Sequence, residues 1–271
     1  MHVLSDFDGT IVDTENAICT TLLKFAQLHK IETPSREAIS GISGKDPLSA
    51  FSDHFIESKG HDRLTQEFWN LYQKICKTGF INLIPGVDEF LKEVKVNGKL
   101  GVVTNKDRNI ALREIGLIEA RFGLPKIDFF IGFDKNSPLK RKPDPDMIFA
   151  AIKEMGIEKR KTLFIGDTQP DVEAAKNAGI PVIVILTKEV REKYGGVPSW
   201  AQKADFVIKH MHEANVILHK IRERGLSKGH IKGSEHNQKL FVKQPRESSL
   251  AHIESSFKTT FKSLGGIEMA R

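Results

Sequence analysis

Val3-Leu-Ser-Asp6-Phe-Asp8-Gly-Thr10-Ile-Val-Asp13-Thr14 decides how the chain is to be read. The opening residues are apolar enough for a strand buried on both faces, expected over residues 3–8. Two carboxylates stand two residues apart at its end, and in an extended chain residues i and i+2 project to the same side. Gly9 lets the backbone turn, so Asp8 and the amides beyond it can converge on the point that Asp6 faces. Two readings compete for an Asp-x-Asp pair. One is a nucleophile and an acid/base partner around a metal; the other is a pair of aspartates capping a turn. The strand in front and the full string behind favour the first.

Further apolar runs follow at residues 99–104, 128–133, 162–167 and 181–186, with a shorter one at 204–208. Continuous runs rich in Val, Ile and Phe suit a parallel sheet covered on both faces. Amphipathic stretches at 87–96, 109–116, 145–155 and 171–178 alternate with them. Gly116, Gly156 and Gly179 stand where a helix C-terminus wants a positive φ. Strands alternating with helices imply βαβ units, hence an α/β fold with a Rossmann-like parallel sheet. Residues 14–82 break the alternation. They show only helical periodicity, with Ala17, Leu22, Leu23, Phe25, Ala26 and Leu28 in one stripe and Leu64, Phe68, Trp69, Tyr72 and Ile75 in another. An insertion at the carboxyl end of the first strand lies over the crevice where such sheets bind ligands. The expected organisation is a core of residues 1–13 and 83–219, a helical cap of 14–82 and an extension of 220–271.

The 271 residues are 39% hydrophobic and 28% charged, enough for a sizeable core and against wholesale disorder. The longest apolar runs fall far short of the roughly 20 residues a membrane helix needs. Asp6 and Asp8 interrupt the opening run before it could act as a signal segment. Two cysteines, Cys19 and Cys76, exclude a disulfide framework and point to a reducing, cytoplasmic setting. The net charge of +6 sits entirely in residues 220–271, with eleven Lys and Arg against five Asp and Glu. The body is balanced, so nucleic-acid binding is not expected of it. Residues 225–237 are polar and glycine-rich, and Leu250, Ile253, Phe257, Phe261 and Leu264 form a weak helical stripe. This basic extension is expected to be partly disordered, with at most a weak acidic partner.

Three more clusters fall at or just beyond the carboxyl ends of expected strands. In Thr104-Asn105-Lys106 a hydroxyl beside an amide either caps a helix or receives a phosphoryl oxygen. In Lys142-Pro-Asp-Pro-Asp146 the prolines stiffen the backbone and start a helix near Asp144, which aims Lys142; a solvated basic loop is the alternative. In Gly166-Asp167-Thr-Gln-Pro-Asp171 the first carboxylate sits at a strand tip and the second on the next helix's first turn. Carboxylates meeting in one crevice repel unless a cation neutralises them, and oxygen ligands point to Mg²⁺.

Together, Asp6-Phe-Asp8-Gly-Thr10, Thr104-Asn105, Lys142-Pro143 and Gly166-Asp167 through Asp171 resemble the four motifs of the haloacid dehalogenase-like hydrolase superfamily. The helical insertion, Ile84-Pro85-Gly86-Val87 and the loop Gly41-Ile-Ser43-Gly44-Lys45-Asp46 resemble its alpha-helical-cap subgroup, which includes phosphoglycolate phosphatase and beta-phosphoglucomutase. The resemblance implies that Asp6 attacks phosphorus to form an aspartyl-phosphate, with Asp8 as general acid and then general base. It implies Mg²⁺ on Asp6, on the main-chain carbonyl of Asp8 and on Asp167, with Asp171 positioning bound water. Thr104, the Asn105 amide and Lys142 would hold the phosphoryl oxygens, and Ser43 and Lys45 of the cap loop would face the leaving group. The expected activity is hydrolysis of a small phosphorylated metabolite, phosphoglycolate- or sugar-phosphate-like. A phosphomutase would use the same residues. A nucleotide phosphatase fits less well with only two Trp and two Tyr to stack on a base. A regulatory binding protein on this scaffold is disfavoured by the intact motifs.

Overall fold

The computed structural model describes residues 1–35, 38–39 and 47–224. Ser43 and Lys45, the stretch 225–237 and the stripe from Leu250 to Leu264 lie outside the described residues. The first part of the chain runs β1 (His2–Ser5), β2 (Val12–Asp13), α1 (Glu15–His29), α2 (Asp53–Lys59), α3 (His61–Ile75) and β3 (Asn82–Leu83). Alternation then sets in with α4 (Val87–Asn97), β4 (Leu100–Asp107), α5 (Arg108–Phe122), β5 (Phe129–Phe133), α6 (Asp146–Met155) and β6 (Thr162–Gly166). It closes with α7 (Gln169–Ala178), β7 (Val182–Ile185), α8 (Lys188–Lys193), β8 (Phe206–Ile208) and α9 (His212–Arg224).

Six strands form one sheet in the order β5-β4-β1-β6-β7-β8, every pairing parallel. Alternate residues of each run enter different cores. Val3, Val102, Leu163, Ile165 and Ile183 face α4, α5 and α9. Leu4, Val103, Phe164, Val182 and Val184 face α6 and α7. Both faces are therefore apolar, which is why the strands read as unbroken hydrophobic runs. From β1 the chain passes outward through β4 and β5, then returns to build β6, β7 and β8 on the other side. The carboxyl end of β1 is thus a topological switch point.

The insertion is helical, as expected, but it is bracketed by strands too short to read from sequence. β2 and β3 pair antiparallel, Val12 beside Leu83 and Asp13 beside Asn82. Within it Phe25 packs edge-on to Phe68 at 5.7 Å and against Phe51 at 5.5 Å, with Leu22, Leu48 and Leu64 buried around them. Burial of such side chains contributes roughly 1.5–3 kcal/mol each. Leu28, placed on the apolar stripe by spacing, is instead 67% exposed in the last turn of α1.

Two boundaries also differ. Gly156 and Gly179 do cap their helices with φ of 59° and 67°, but Gly116 lies inside α5, which ends at Gly123 with φ 63°. Ile118 continues the buried stripe of Ile110, Ala111 and Ile115, and that burial outweighs the glycine. At the other end, α9 runs through residue 220. Ile221 is buried and Arg222 pairs with Glu93 of α4, so the expected division at 219 falls within a packed helix.

Candidate active site

Asp6 follows β1 directly, and its amide donates to the Ile165 carbonyl of β6 at 2.9 Å, tying the two strand ends together. Gly9 turns the chain with φ 74°. A Cβ there would stand 2.2 Å from Asp167 Oδ2, so only glycine lets this turn approach the end of β6. Thr10 Oγ1 donates to Asp167 Oδ1 at 3.0 Å across that approach. Asp171 is the third residue of α7. Its Oδ2 accepts from the Thr168 amide at 3.0 Å, and the Thr168 side chain in turn accepts from the Asp171 amide, the reciprocal pair of a capping box; the Thr168 hydroxyl also lies 2.5 Å from Asp171 Oδ2.

These folds bring carboxylate oxygens of Asp6, Asp167 and Asp171 within 4.8 Å of one another. Lys142 is the cation among them. It donates to Asp171 Oδ1 at 2.5 Å, and its Nζ lies 2.8 Å from Asp6 Oδ1. That second approach is an ion pair, and Asp6 Oδ1 is otherwise buried with no hydrogen-bond partner. Asn105 holds the lysine in place from β4. Its Nδ2 donates to the Lys142 carbonyl and its Oδ1 accepts from the Lys142 amide, each at 2.9 Å. The Lys142-Pro143 peptide is cis. Thr104 is buried beside them, its hydroxyl accepting from the Lys106 amide at 3.1 Å.

One ammonium does not balance three carboxylates. Burial, reinforced by the charge of Asp171, pushes Asp6 up to about 7 despite Lys142. Burial, then the charges of Asp171 and Asp6, holds Asp167 well above the usual carboxylate range. An oxygen-only donor set, an excess of negative charge and a buried oxygen without a hydrogen bond are the features a hard divalent cation would satisfy, so these residues fit Mg²⁺.

Asp8 is turned elsewhere. Its Oδ1 accepts from Thr14 Oγ1 at 2.9 Å and from Lys106 Nζ at 2.8 Å. Lys106 also donates to Glu114 Oε2 of α5 at 2.6 Å and to the Tyr72 hydroxyl of α3 at 3.3 Å. Neither Glu114 nor this use of Lys106 was expected. The available signal was a carboxylate in the middle of the apolar stripe of α5. The structure therefore brings Asp6, Asp167, Asp171 and Lys142 into one cluster, with Asn105 and Thr104 beside Lys142, and sets the Asp8 carboxylate at its margin.

Comparison with known proteins shows the family. Residues 3–185 match the family described as haloacid dehalogenase-like hydrolase. The chain belongs to the haloacid dehalogenase-like hydrolase family. It is 30% identical over 230 residues to N-acetylmuramic acid 6-phosphate phosphatase of Pseudomonas putida, covering 80% of this chain and 95% of that one. Phosphoglycolate phosphatase of Mesorhizobium japonicum is 28% identical over 190 residues, 68% of this chain and 81% of that one. Among solved structures, CbbY from Rhodobacter sphaeroides in complex with phosphate superposes with a TM-score of 0.63 at 20% identity, over 78% and 95% of the two chains. The family, the α/β class and the enzyme class of phosphoric monoester hydrolase all stand as the motifs implied. No helix among the described residues is long and apolar enough to cross a membrane.

Proposed function

We propose that this haloacid dehalogenase-like hydrolase is a Mg²⁺-dependent phosphatase of small organic phosphate monoesters, working through an aspartyl-phosphate on Asp6. The observation that carries the reading is the cluster of Asp6, Asp167 and Asp171 around Lys142 at the carboxyl ends of β1 and β6. Asp6, Asp167 and the Asp8 carbonyl would hold Mg²⁺, with Asp171 behind them. When bound, the ion supplies positive charge that favours ionised Asp6 and offsets charge on the phosphoryl group.

An ionised Asp6 oxygen forms a bond to phosphorus as the bond to the ester oxygen breaks. Asp8 gives its proton to that oxygen, and the alcohol leaves. A water then attacks phosphorus while Asp8 takes back a proton. The bond from phosphorus to Asp6 breaks, releasing phosphate. Lys142, locked by Asn105, and Thr104 with the Asn105 amide meet the phosphoryl oxygens as negative charge spreads over them. Likeness to an N-acetylmuramic acid 6-phosphate phosphatase and a phosphoglycolate phosphatase supports a phosphorylated small metabolite as substrate. The helical insertion, residues 14–82, acts as the cap over the leaving group, and Ser43 and Lys45 are its proposed substrate contacts. Two free thiols, Cys19 and Cys76, fit a reducing, cytoplasmic location.

The test is phosphate release from N-acetylmuramic acid 6-phosphate, phosphoglycolate and a hexose phosphate, with and without Mg²⁺, by the parent and by Asp6→Asn. Release that needs Mg²⁺ and disappears in the variant is expected. A variant within a factor of about ten of the parent would remove Asp6 from the chemistry, since covalent and acid/base groups contribute about 10²-fold or more.

A further inference from the structure

Lys106 is charged, buried and saturated. Its side chain is 8% exposed, and Asp8 Oδ1, Glu114 Oε2 and the Tyr72 hydroxyl lie 2.8, 2.6 and 3.3 Å from Nζ. A lysine ammonium has three N–H donors. With three oxygens in place it has none left for a phosphoryl oxygen, so Lys106 is not a phosphate ligand in this arrangement. Stability does not explain it either, because an apolar replacement of a buried ion pair is often neutral or stabilising.

The geometry at Asp8 does explain it. Both hydrogen bonds to that carboxylate, from Thr14 and from Lys106, fall on Oδ1. They fix the carboxylate plane and leave Oδ2 as the oxygen to exchange a proton with the ester oxygen. Glu114, 3% exposed and anchored on α5, holds the other side of the ammonium. Tyr72 holds it from α3, so the helical insertion also takes part in the grip. The Tyr72 ring lies 5.2 Å and the Phe7 ring 5.7 Å from Nζ, closing the space in which the side chain could move.

We infer that Lys106 and Glu114 are positioning residues for Asp8: Glu114 and Tyr72 aim the Lys106 ammonium, and Lys106 with Thr14 aims the Asp8 carboxylate at the leaving group. This rests on Asp8 being the general acid. A positioning role has a signature that a merely structural one lacks, because a general acid matters in proportion to how badly the leaving group needs a proton. Glycerol phosphate, which expels an alkoxide, depends on it heavily. p-Nitrophenyl phosphate, which expels a stabilised phenolate, hardly does.

The experiment measures kcat/KM and KM of the full chain with Mg²⁺ on these two esters, for the parent, Asp8→Asn, Lys106→Met and Glu114→Gln. Lys106→Met is expected to lower kcat/KM on glycerol phosphate by about 100-fold and on p-nitrophenyl phosphate by less than about tenfold, with KM held. Glu114→Gln, which keeps shape and volume, should show the same selectivity at about tenfold and serves if Lys106→Met does not fold. Equal losses on both esters, or no loss, in a folded variant overturn the inference. If Asp8→Asn itself shows no leaving-group selectivity while Asp6→Asn is dead, the reading of Asp8 as the acid falls and takes this one with it. If Asp8→Asn is selective and neither positioning variant is, only the positioning role falls.

Discussion

A carboxylate on the buried face of a helix is costly unless a partner compensates it. Glu114 has Lys106 on one oxygen, while its Oε1 is buried without a hydrogen bond. Burial outweighs the pull of Lys106 and pushes its carboxyl up to about 7 from an ordinary 4.5, with Asp8 and Tyr72 also facing the cluster. Between those two values the folded protein holds a proton that the unfolded chain has released. Stability therefore falls as pH rises from 4.5 towards 7, and above that this group adds no further slope. Asp6 and Asp167, also raised, slope the same way. Glu114→Gln should therefore lose less stability than the parent between about pH 5 and pH 8 in denaturant unfolding. Equal losses would mean that Glu114 titrates as an exposed carboxylate. Asp6, Asp167 and Asp171 were legible in the sequence because each sits just beyond a strand end or at a helix start, and Lys142 because Pro143 and Pro145 stiffen the loop that carries it. Glu114 was not, because its partner is eight positions away on another element and no local pattern links them.

Among the elements, α5 shows where local reading failed. A glycine after an apolar stripe reads as a stop, yet Gly116 adopts helical backbone and the stripe resumes at Ile118. A Cβ at Gly116 would meet nothing within 4 Å. Gly116→Ala should therefore stabilise the protein by about 0.5–1 kcal/mol, read as a higher urea midpoint with an unchanged slope. A lower midpoint would show that the backbone there needs glycine. The parallel strands were legible because burial on both faces leaves apolar runs with few polar positions to blur them. β2 and β3 were not, because two residues cannot display a period, and their pairing spans the whole insertion.

For the whole molecule, the described fold closes at α9, with Leu218 and Ile221 buried and Arg222 on Glu93. Removing residues 225–271 leaves that helix whole. Turnover of the truncated protein on a small phosphate ester should stay within about threefold of the parent. Loss of folding or of turnover would make the basic extension part of the enzyme.

β1 lies mid-sheet, with Val3 beside Leu100 on one side and Leu163 on the other. A ribosome delivers these neighbours in that order, and at about 5–20 residues per second roughly 5–20 s pass before Leu100 follows Val3. The strand that leads into Asp6 is therefore made early and docked late. The insertion, whose Phe25 and Phe68 are closer in the chain, can pack in the meantime. While β1 waits, Asp6 and Asp8 are the only charges in the stretch from Val3 to Val12. The two residues assigned to the chemistry are thus also the gatekeepers that keep the nascent strand from joining another copy of itself.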